Sequence, residues 1–243
     1  MTESDSSQRT YTVLSAATKK ELKTALSFSR NIPAGLQVGE AVTWECGNSC
    51  FLLLVTGIGP VNAALNLGNL LGGSARIKGV VNVGISGSFD LELYPLGTPV
   101  LVNEEIWPEF GLKSREGIDP MSLGMPLGTM GEEKVWDRIG FDSQQNVKTL
   151  LGANLDLPSA KSLTVAGVTG TREDAIKLRR KYNAQLENME GFALAWACSN
   201  AELPFVEIRT VSNLVGSREK LCWDMKRGLQ ELVKVCRSLL DSG

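Results

Sequence analysis

The sequence contains no histidine. That absence removes Ser-His-Asp and Cys-His nucleophilic catalysis, histidine general bases and histidine metal ligands together. Any chemistry must come from carboxylates, amides, hydroxyls, lysine or arginine. Charge of one sign is also scarce. Lys and Arg number 25 against 27 Asp and Glu, giving a net charge of -2 and no block of like charge. Binding to nucleic acid or to an acidic membrane surface is therefore not expected. Apolar runs are short: Phe51 to Val55 is far too brief to cross a bilayer, and the polar start does not read as a signal peptide. A soluble, cytoplasmic protein is expected. The 5 cysteines are odd in number and scattered, which argues against a disulfide framework. Cys46 and Cys50 supply half of a zinc site, and nothing supplies the other half. They read instead as neighbours on a hairpin turning at Gly47-Asn48. Neither a metal nor an organic cofactor is expected.

What is present is enough for a large core. With 43% hydrophobic residues in 243, one α/β domain of this size is ordinary. Residues 1–9 read as a flexible tail and residues 10–243 as a single domain. Tyr11 to Ala17 reads as a first strand, and Thr18-Lys19-Lys20-Glu21 has capping-box spacing before a helix to about Ser29. Ala41 to Cys46 and Cys50 to Thr56 read as strands. The second ends in a glycine turn, Gly57-Ile58-Gly59, with Pro60 opening a helix. Ile77 to Val83 reads as a buried strand running into a flexible turn, Gly84 to Phe89. Gly97 to Asn103 is a further strand, and Glu104 to Asp142 reads as irregular. Ser162 to Val168, Ala184 to Glu187 and Pro204 to Val211 read as strands. Arg172 to Tyr182, Phe192 to Cys198 and Arg218 to Leu240 read as helices. Strands alternating with helices predict three layers, a mixed and mostly parallel central sheet flanked by helices.

Unusual residues collect where strands end: Glu21, Ser86-Gly87, Asn188-Met189-Glu190 and Arg209 to Asn213. In a parallel sheet these ends share one edge, so the four sets converge on one cleft. Each also has a plain structural explanation. Asn188 suits a helix N-cap, Glu190 suits a first helical turn, and Glu21 completes a capping box. Arg209 in a core-like strand requires an acidic partner or a ligand, with Glu190 and Glu207 as candidate partners.

The order and spacing of these sets resemble the nucleoside phosphorylase/nucleosidase family. The correspondence runs through Thr56 to Ala64, Asn82 to Gly87, Asn188 to Glu190 and Arg209 to Asn213. The resemblance implies a nucleoside phosphorylase-like fold, a homodimer or larger homo-oligomer, and a small-molecule purine nucleoside as substrate. It implies that Glu190 binds the ribose hydroxyls, that Met189 packs under the sugar, and that Arg209 organises an attacking water. Glu21 falls near the family's water-activating glutamate, with Lys20 one residue away as the alternative. Ile85, Ser86, Gly87 and Phe89 would border sugar and base, with Thr169, Asn188 and Ser212 as further substrate-binding positions.

Departures from the adenosine-specific members carry information. Asn213 stands where they have an aspartate, Asn188 where they have a second glutamate, and Glu173 near their base-stacking phenylalanine. A 6-oxopurine offers two acceptors, N7 and O6. A neutral amide donates to that pair, whereas an ionised carboxylate only accepts. Within the family the set is most similar to the branch that hydrolyses futalosine, releasing hypoxanthine in menaquinone biosynthesis. That substrate carries a carboxylate on the 5′ side, for which Arg218 and Lys113 are candidates. The expectation is hydrolysis of an N-ribosyl bond to a 6-oxopurine. Its rivals are a purine nucleoside phosphorylase, a methylthioadenosine/S-adenosylhomocysteine nucleosidase, and a nucleoside-binding protein without catalysis.

Overall fold

The computed structural model describes residues 9–240. The predicted tail, residues 1–9, lies outside them except for Arg9, which pairs with Glu45 (2.7 Å).

The alternation of apolar residues along the central strands sets the layering. The first strand, β1 (Thr10–Ala16), sends Leu14 and Ala16 to one face and Val13 to the other. It leads through a capping box at Thr18 and Glu21 into α1 (Lys19–Ala25), which ends earlier than the predicted Ser29. The hairpin β2 (Ala41–Cys46) and β3 (Ser49–Val55) is antiparallel, with Cys46 and Cys50 on its two strands. Gly59, at φ 90, is the glycine that lets the chain turn into α2 (Pro60–Leu71), whose first position is Pro60.

β4 (Arg76–Ser88) is 13 residues long. The flexible turn expected at Gly84 to Phe89 is, up to Ser88, extended strand. Its neighbour supplies the reason: the strand Phe205–Leu214 pairs with it from Val80 through Ser88, with one bulge after Val211, so the small residues are held by ladder hydrogen bonds. β5 (Pro99–Ile106) follows. The segment expected to be irregular, Glu104 to Asp142, completes β5 and folds into two small hairpins. These are β6 (Leu112–Ser114) with β7 (Gly117–Asp119), and β8 (Gly128–Met130) with β9 (Glu133–Val135). β10 (Arg138–Gly140) then pairs with β5. Three-residue strands are too short to show a period, which hides them in the sequence.

After α3 (Ser143–Leu151) come β11 (Ser159–Thr164), α4 (Arg172–Tyr182), β12 (Leu186–Asn188), α5 (Gly191–Asn200), β13 (Phe205–Leu214) and α6 (Met225–Leu240). β11 stops at Thr164 and not at Val168. α6 begins at Met225 and not at Arg218, because residues 218–224 form a loop with one short 3-10 turn at Lys220–Cys222. β13 runs on through Ser212 and Asn213.

The central sheet has nine strands, with five parallel and four antiparallel pairings. One face packs Leu22, Leu150, Leu229 and Leu232 from α1, α3 and α6 against Leu53, Val81 and Ile208. The other packs Leu67 and Leu194 from α2 and α5 against Val13, Leu54 and Val80. Each fully buried leucine contributes about 1.5–3 kcal/mol. Three layers result, as the alternation predicts. No helix among the described residues is long and apolar enough to cross a membrane.

Candidate active site

The ends of β1, β4, β12 and β13, with the loops after β3 and β11, surround one cavity of about 420 Å³. That size suits a nucleoside-sized ligand. Of the residues predicted for the site, Glu21, Ile85, Ser86, Gly87, Thr169, Asn188, Met189, Glu190, Ser212 and Asn213 all line it. A larger groove of about 630 Å³, between the β6–β7 hairpin and the end of α4, contains none of them.

Glu190 stands where β12 passes into α5. Its Oε1 accepts from the Gly59 N–H (3.0 Å), so the glycine turn grips a protein carboxylate, and its Oε2 lies 3.7 Å from Arg209 Nη2. Burial raises the Glu190 pKa, and Arg209 with the Gly59 N–H draws it partly back. The N-cap of α5 is Glu190 and not the predicted Asn188, which stands two residues earlier and holds the start of the helix from outside. Asn188 Oδ1 accepts from the backbone N–H of Glu190 (2.8 Å) and Gly191 (2.7 Å). Its Nδ2 is held by Glu105 Oε1 and Ser162 Oγ, both at 2.6 Å. The backbone of Glu190 is therefore fixed by a buried amide that is itself fixed by a buried carboxylate.

Arg209 does not line the cavity. It lies behind Glu190, 1% exposed, with Nε donating to Glu207 Oε1 (2.8 Å) and Nη1 to the Ile85 carbonyl (3.3 Å). Both partners weighed for it from the sequence are present, Glu207 closely and Glu190 at longer range. Burial opposes its charge, yet Glu207, Glu190 and Glu21 keep its pKa above the ordinary value. Gly84 is the residue that admits this arrangement. A Cβ there would stand 2.6 Å from Arg209 Nη1 and 3.0 Å from Glu21 Oε1.

Glu21 does two things at once. Its Oε2 closes the capping box on the Thr18 N–H (3.1 Å) and hydroxyl (2.6 Å), while Oε1 accepts from the Ile85 N–H (3.2 Å). Lys20, the alternative at this position, also lines the cavity but is exposed. Asn213 Oδ1 accepts from Ser212 Oγ (2.8 Å), and its Nδ2, beside Gly87, donates to the Leu214 carbonyl (3.3 Å), which leaves one amide hydrogen for another acceptor.

Phe89 is displaced from the predicted site. It is buried with Ile106, Leu163 and Val215, because the strand carries it past the cavity where a turn would have returned it. Glu173 lies on the exposed first turn of α4, paired with Lys177 (2.7 Å). Lys113 stands on the β6–β7 hairpin, whereas Arg218 lines the cavity with its guanidinium 5.5 Å from the centre of the Trp223 ring.

Several lining residues were not singled out from the sequence: Ile58, Val168, Glu187, Trp223, Met225 and Leu229. Trp223 sits in the loop before α6, bridged to Asn213 and donating from Nε1 to the Ser217 carbonyl (2.7 Å). A loop without periodicity offers no signal for it. Glu187 was legible only as the last residue of a strand.

A preorganised carboxylate with a guanidinium behind it, the further carboxylates of Glu21 and Glu187 and the Asn213 amide make a polar site. Such a site holds a sugar and stabilises charge leaving on a base. Comparison with known proteins agrees with this geometry. The family model described as the phosphorylase superfamily matches residues 11–242. A futalosine hydrolase of Thermus thermophilus is 38% identical over 194 residues, covering 78% of this chain and 81% of that protein. A futalosine hydrolase of Streptomyces coelicolor is 30% identical, with 74% of each covered. Among solved structures, a futalosine hydrolase mutant of Helicobacter pylori superposes with a TM-score of 0.73 at 17% identity, covering 97% of this chain and all of that one. The chain thus has a nucleoside phosphorylase-like fold and belongs to the phosphorylase superfamily.

Proposed function

We propose that the chain hydrolyses the N-ribosyl bond of a 6-oxopurine nucleoside, with futalosine as substrate and hypoxanthine as the released base. This reading would place it in menaquinone biosynthesis, in the cytoplasm. The observation that carries it is Asn213, an amide beside Gly87 that lines the same cavity as the Glu190 and Glu21 carboxylates. The names of the relatives at 38% and 30% identity support the same substrate. Water attacks C1′ as the bond to the base breaks, and the sugar passes through an oxocarbenium-like state. Glu190 accepts from the ribose hydroxyls, and Arg209 keeps that buried carboxylate in place. Glu21 takes the proton of the water, Asn213 donates a hydrogen bond to the N7/O6 edge as the base leaves as an anion, and the released base takes a proton from solvent, to which Glu21 returns its own.

Hydrolysis is favoured over phosphorolysis by the cations. Among the described residues, the cavity is lined by only Lys20 and Arg218, and Arg209 is committed to Glu207 and Glu190. Ile58, Val61 and Leu65 leave an exposed apolar stripe beginning at the cavity wall and continuing along α2, which supports a homodimer or larger homo-oligomer.

The test is to incubate the protein with futalosine, inosine and methylthioadenosine, with and without phosphate, and follow free base by chromatography. Hypoxanthine released from futalosine independently of phosphate is expected. Phosphate-dependent release, or release of adenine in preference, would overturn the reading. Light scattering checks the oligomer.

A further inference from the structure

One buried guanidinium needs one carboxylate, and Arg209 has two beside it. Glu190 alone would neutralise it. Glu207 is the second, 0% exposed, and the mechanism above gives it no task. Glu207 and Arg209 stand two residues apart on β13, so their side chains share one face of the sheet. Phe205 occupies the preceding position on that face, inside the apolar cluster with Phe192 and Leu194 of α5. An apolar residue at 207 would continue that cluster without the cost of burying a charge.

The guanidinium is divided unequally between the two acids. Nε donates to Glu207 Oε1 at 2.8 Å, and Nη2 lies 2.7 Å from that same oxygen. From Glu190 Oε2 the same Nη2 is 3.7 Å away, beyond hydrogen-bond reach. Nη2 is aligned for a hydrogen bond with neither carboxylate. Arg209 therefore faces Glu190 as a charge, while its hydrogen bonds go to Glu207 and the Ile85 carbonyl. Glu190, which lines the cavity, keeps Oε2 as an acceptor for a ligand.

Glu207 is itself held in place. Its Oε1 also accepts from Asn82 Nδ2 (3.2 Å), whose Oδ1 accepts from Ser15 Oγ (3.2 Å). Its Oε2 meets the Glu105 carboxyl over Gly191. Glu105 in turn grips Asn188 Nδ2, and Asn188 Oδ1 accepts from the Glu190 N–H. These contacts close a ring, from the Glu190 backbone through Asn188, Glu105, Glu207 and Arg209 to the Glu190 carboxylate. Arg209 and Glu207 face Glu190 from β13 and Glu21 faces it from α1, while α2 and α5 carry no charged residue. Glu187, Lys20 and Arg218 are the other charged groups on the cavity wall.

We propose that Glu207 is a positioning residue for Glu190: it takes up the hydrogen bonds of Arg209 and so leaves the Glu190 carboxylate ionised but unbridged, free to accept from the ribose hydroxyls. The inference rests on the function proposed above and adds the residue that keeps its ribose-binding acid open. Without the Glu207 charge, Arg209 closes on Glu190 and competes with the substrate for the same oxygen. A carboxylate bridged to a buried guanidinium gives up acceptor sites and becomes harder to protonate.

The test measures kcat/KM for futalosine against pH in wild type, Glu207→Gln and Glu207→Asp. Glutamine keeps the shape and an oxygen for Arg209 and Asn82 but lacks the charge. In Glu207→Gln, kcat/KM should fall roughly 10- to 100-fold, the worth of one hydrogen bond to a charged acceptor. Its acid limb, which reports the free enzyme, should move to lower pH by about one unit, because the undivided Arg209 charge favours ionised Glu190. Glu207→Asp retains the charge and should hold the acid limb at the wild-type position. Lower activity in Glu207→Gln with the acid limb unmoved would show that Glu207 only supports the fold and would overturn the proposal. Wild-type kcat/KM in Glu207→Gln, or an aspartate variant shifted as far as the glutamine one, overturns it too. Each of those results leaves hydrolysis by wild type standing, whereas no base released by wild type sinks both readings. If Glu207→Gln does not fold, the carboxyl resonances of wild type carrying isotope-labelled glutamate are titrated. Glu207 ionised throughout the range in which Glu190 titrates supports the division of charge, and a protonated Glu207 there refutes it.

Discussion

Replacing Glu105 with glutamine should stabilise the protein, by a margin that grows as the pH rises. Glu105 is completely buried beneath the site, with Oε1 accepting from Asn188 Nδ2 and Oε2 from Thr164 Oγ1, each at 2.6 Å. The Glu207 carboxylate packs against it at Gly191, where a Cβ would stand 2.6 Å from Glu207 Oε2 and 2.6 Å from Glu105 Cδ. Glu207 Oε2 has no donor. A proton on Glu105 supplies one, and two buried like charges in contact cannot both ionise cheaply. Burial first, and the Glu207 charge second, hold the Glu105 pKa well above the ordinary carboxylate value.

The folded pKa therefore exceeds the unfolded one. Stability from the protonated acid is fully present below the unfolded value of about 4.3 and is lost as the pH rises through the folded value. Between the two the cost is about 1.4 kcal/mol per pH unit, one proton's worth. Glutamine mimics the neutral acid. Its NH₂ can donate to Glu207 Oε2, its oxygen can accept from Asn188, and it cannot ionise. Urea unfolding of both proteins over a pH series from mild acid to mild alkali measures the difference. The two stability curves should diverge with rising pH at about that slope and become parallel above the folded pKa. Parallel curves throughout, or a glutamine variant weaker at every pH, would refute a protonated Glu105.

Other outcomes follow from the same geometry. Glu190→Gln should lower kcat/KM by at least about 100-fold with the fold retained on circular dichroism, since it removes a preorganised charge; full activity would end the ribose assignment. Asn213→Asp should cost roughly 10- to 100-fold in release of hypoxanthine, because an acceptor then faces O6 and N7, and an unchanged rate would contradict the donor role. Activity should fall on the acid side at a higher pH than an ordinary glutamate would set, because Glu190 works ionised and its pKa is raised. A plateau down to the ordinary carboxylate range would argue against it. Gly84→Ala should cost about 1–3 kcal/mol in denaturant unfolding and depress kcat, because its Cβ displaces Arg209 or Glu21.

The long periodic elements were legible in the sequence. α4 occupies the predicted Arg172 to Tyr182, bounded by a Thr171 cap and a left-handed Asn183. β1 and β2 fall within a residue of expectation, and α2 begins at the predicted Pro60, because local turns mark them. Gly84 to Ser88 was misread for a physical reason. Small residues signal a turn locally, yet here they are strand residues kept small by Arg209, Glu21 and Asn213 pressing against Gly84 and Gly87. The β6–β7 and β8–β9 hairpins were missed because three-residue strands carry no period.

Sequence alone determined the chemistry available. The absence of histidine, the glutamates at strand ends and the amide at Asn213 define a site of carboxylates and amides, since residue type settles what can donate, accept or ionise. Only the tertiary structure decided which of those groups meet. It removed Phe89 from the cavity, set Arg209 behind Glu190, and brought Glu187 and Trp223 to the wall. Register and crossover fix those neighbours, and they depend on pairing between segments more than 100 residues apart, as between β4 and β13. Local pattern does not record that pairing.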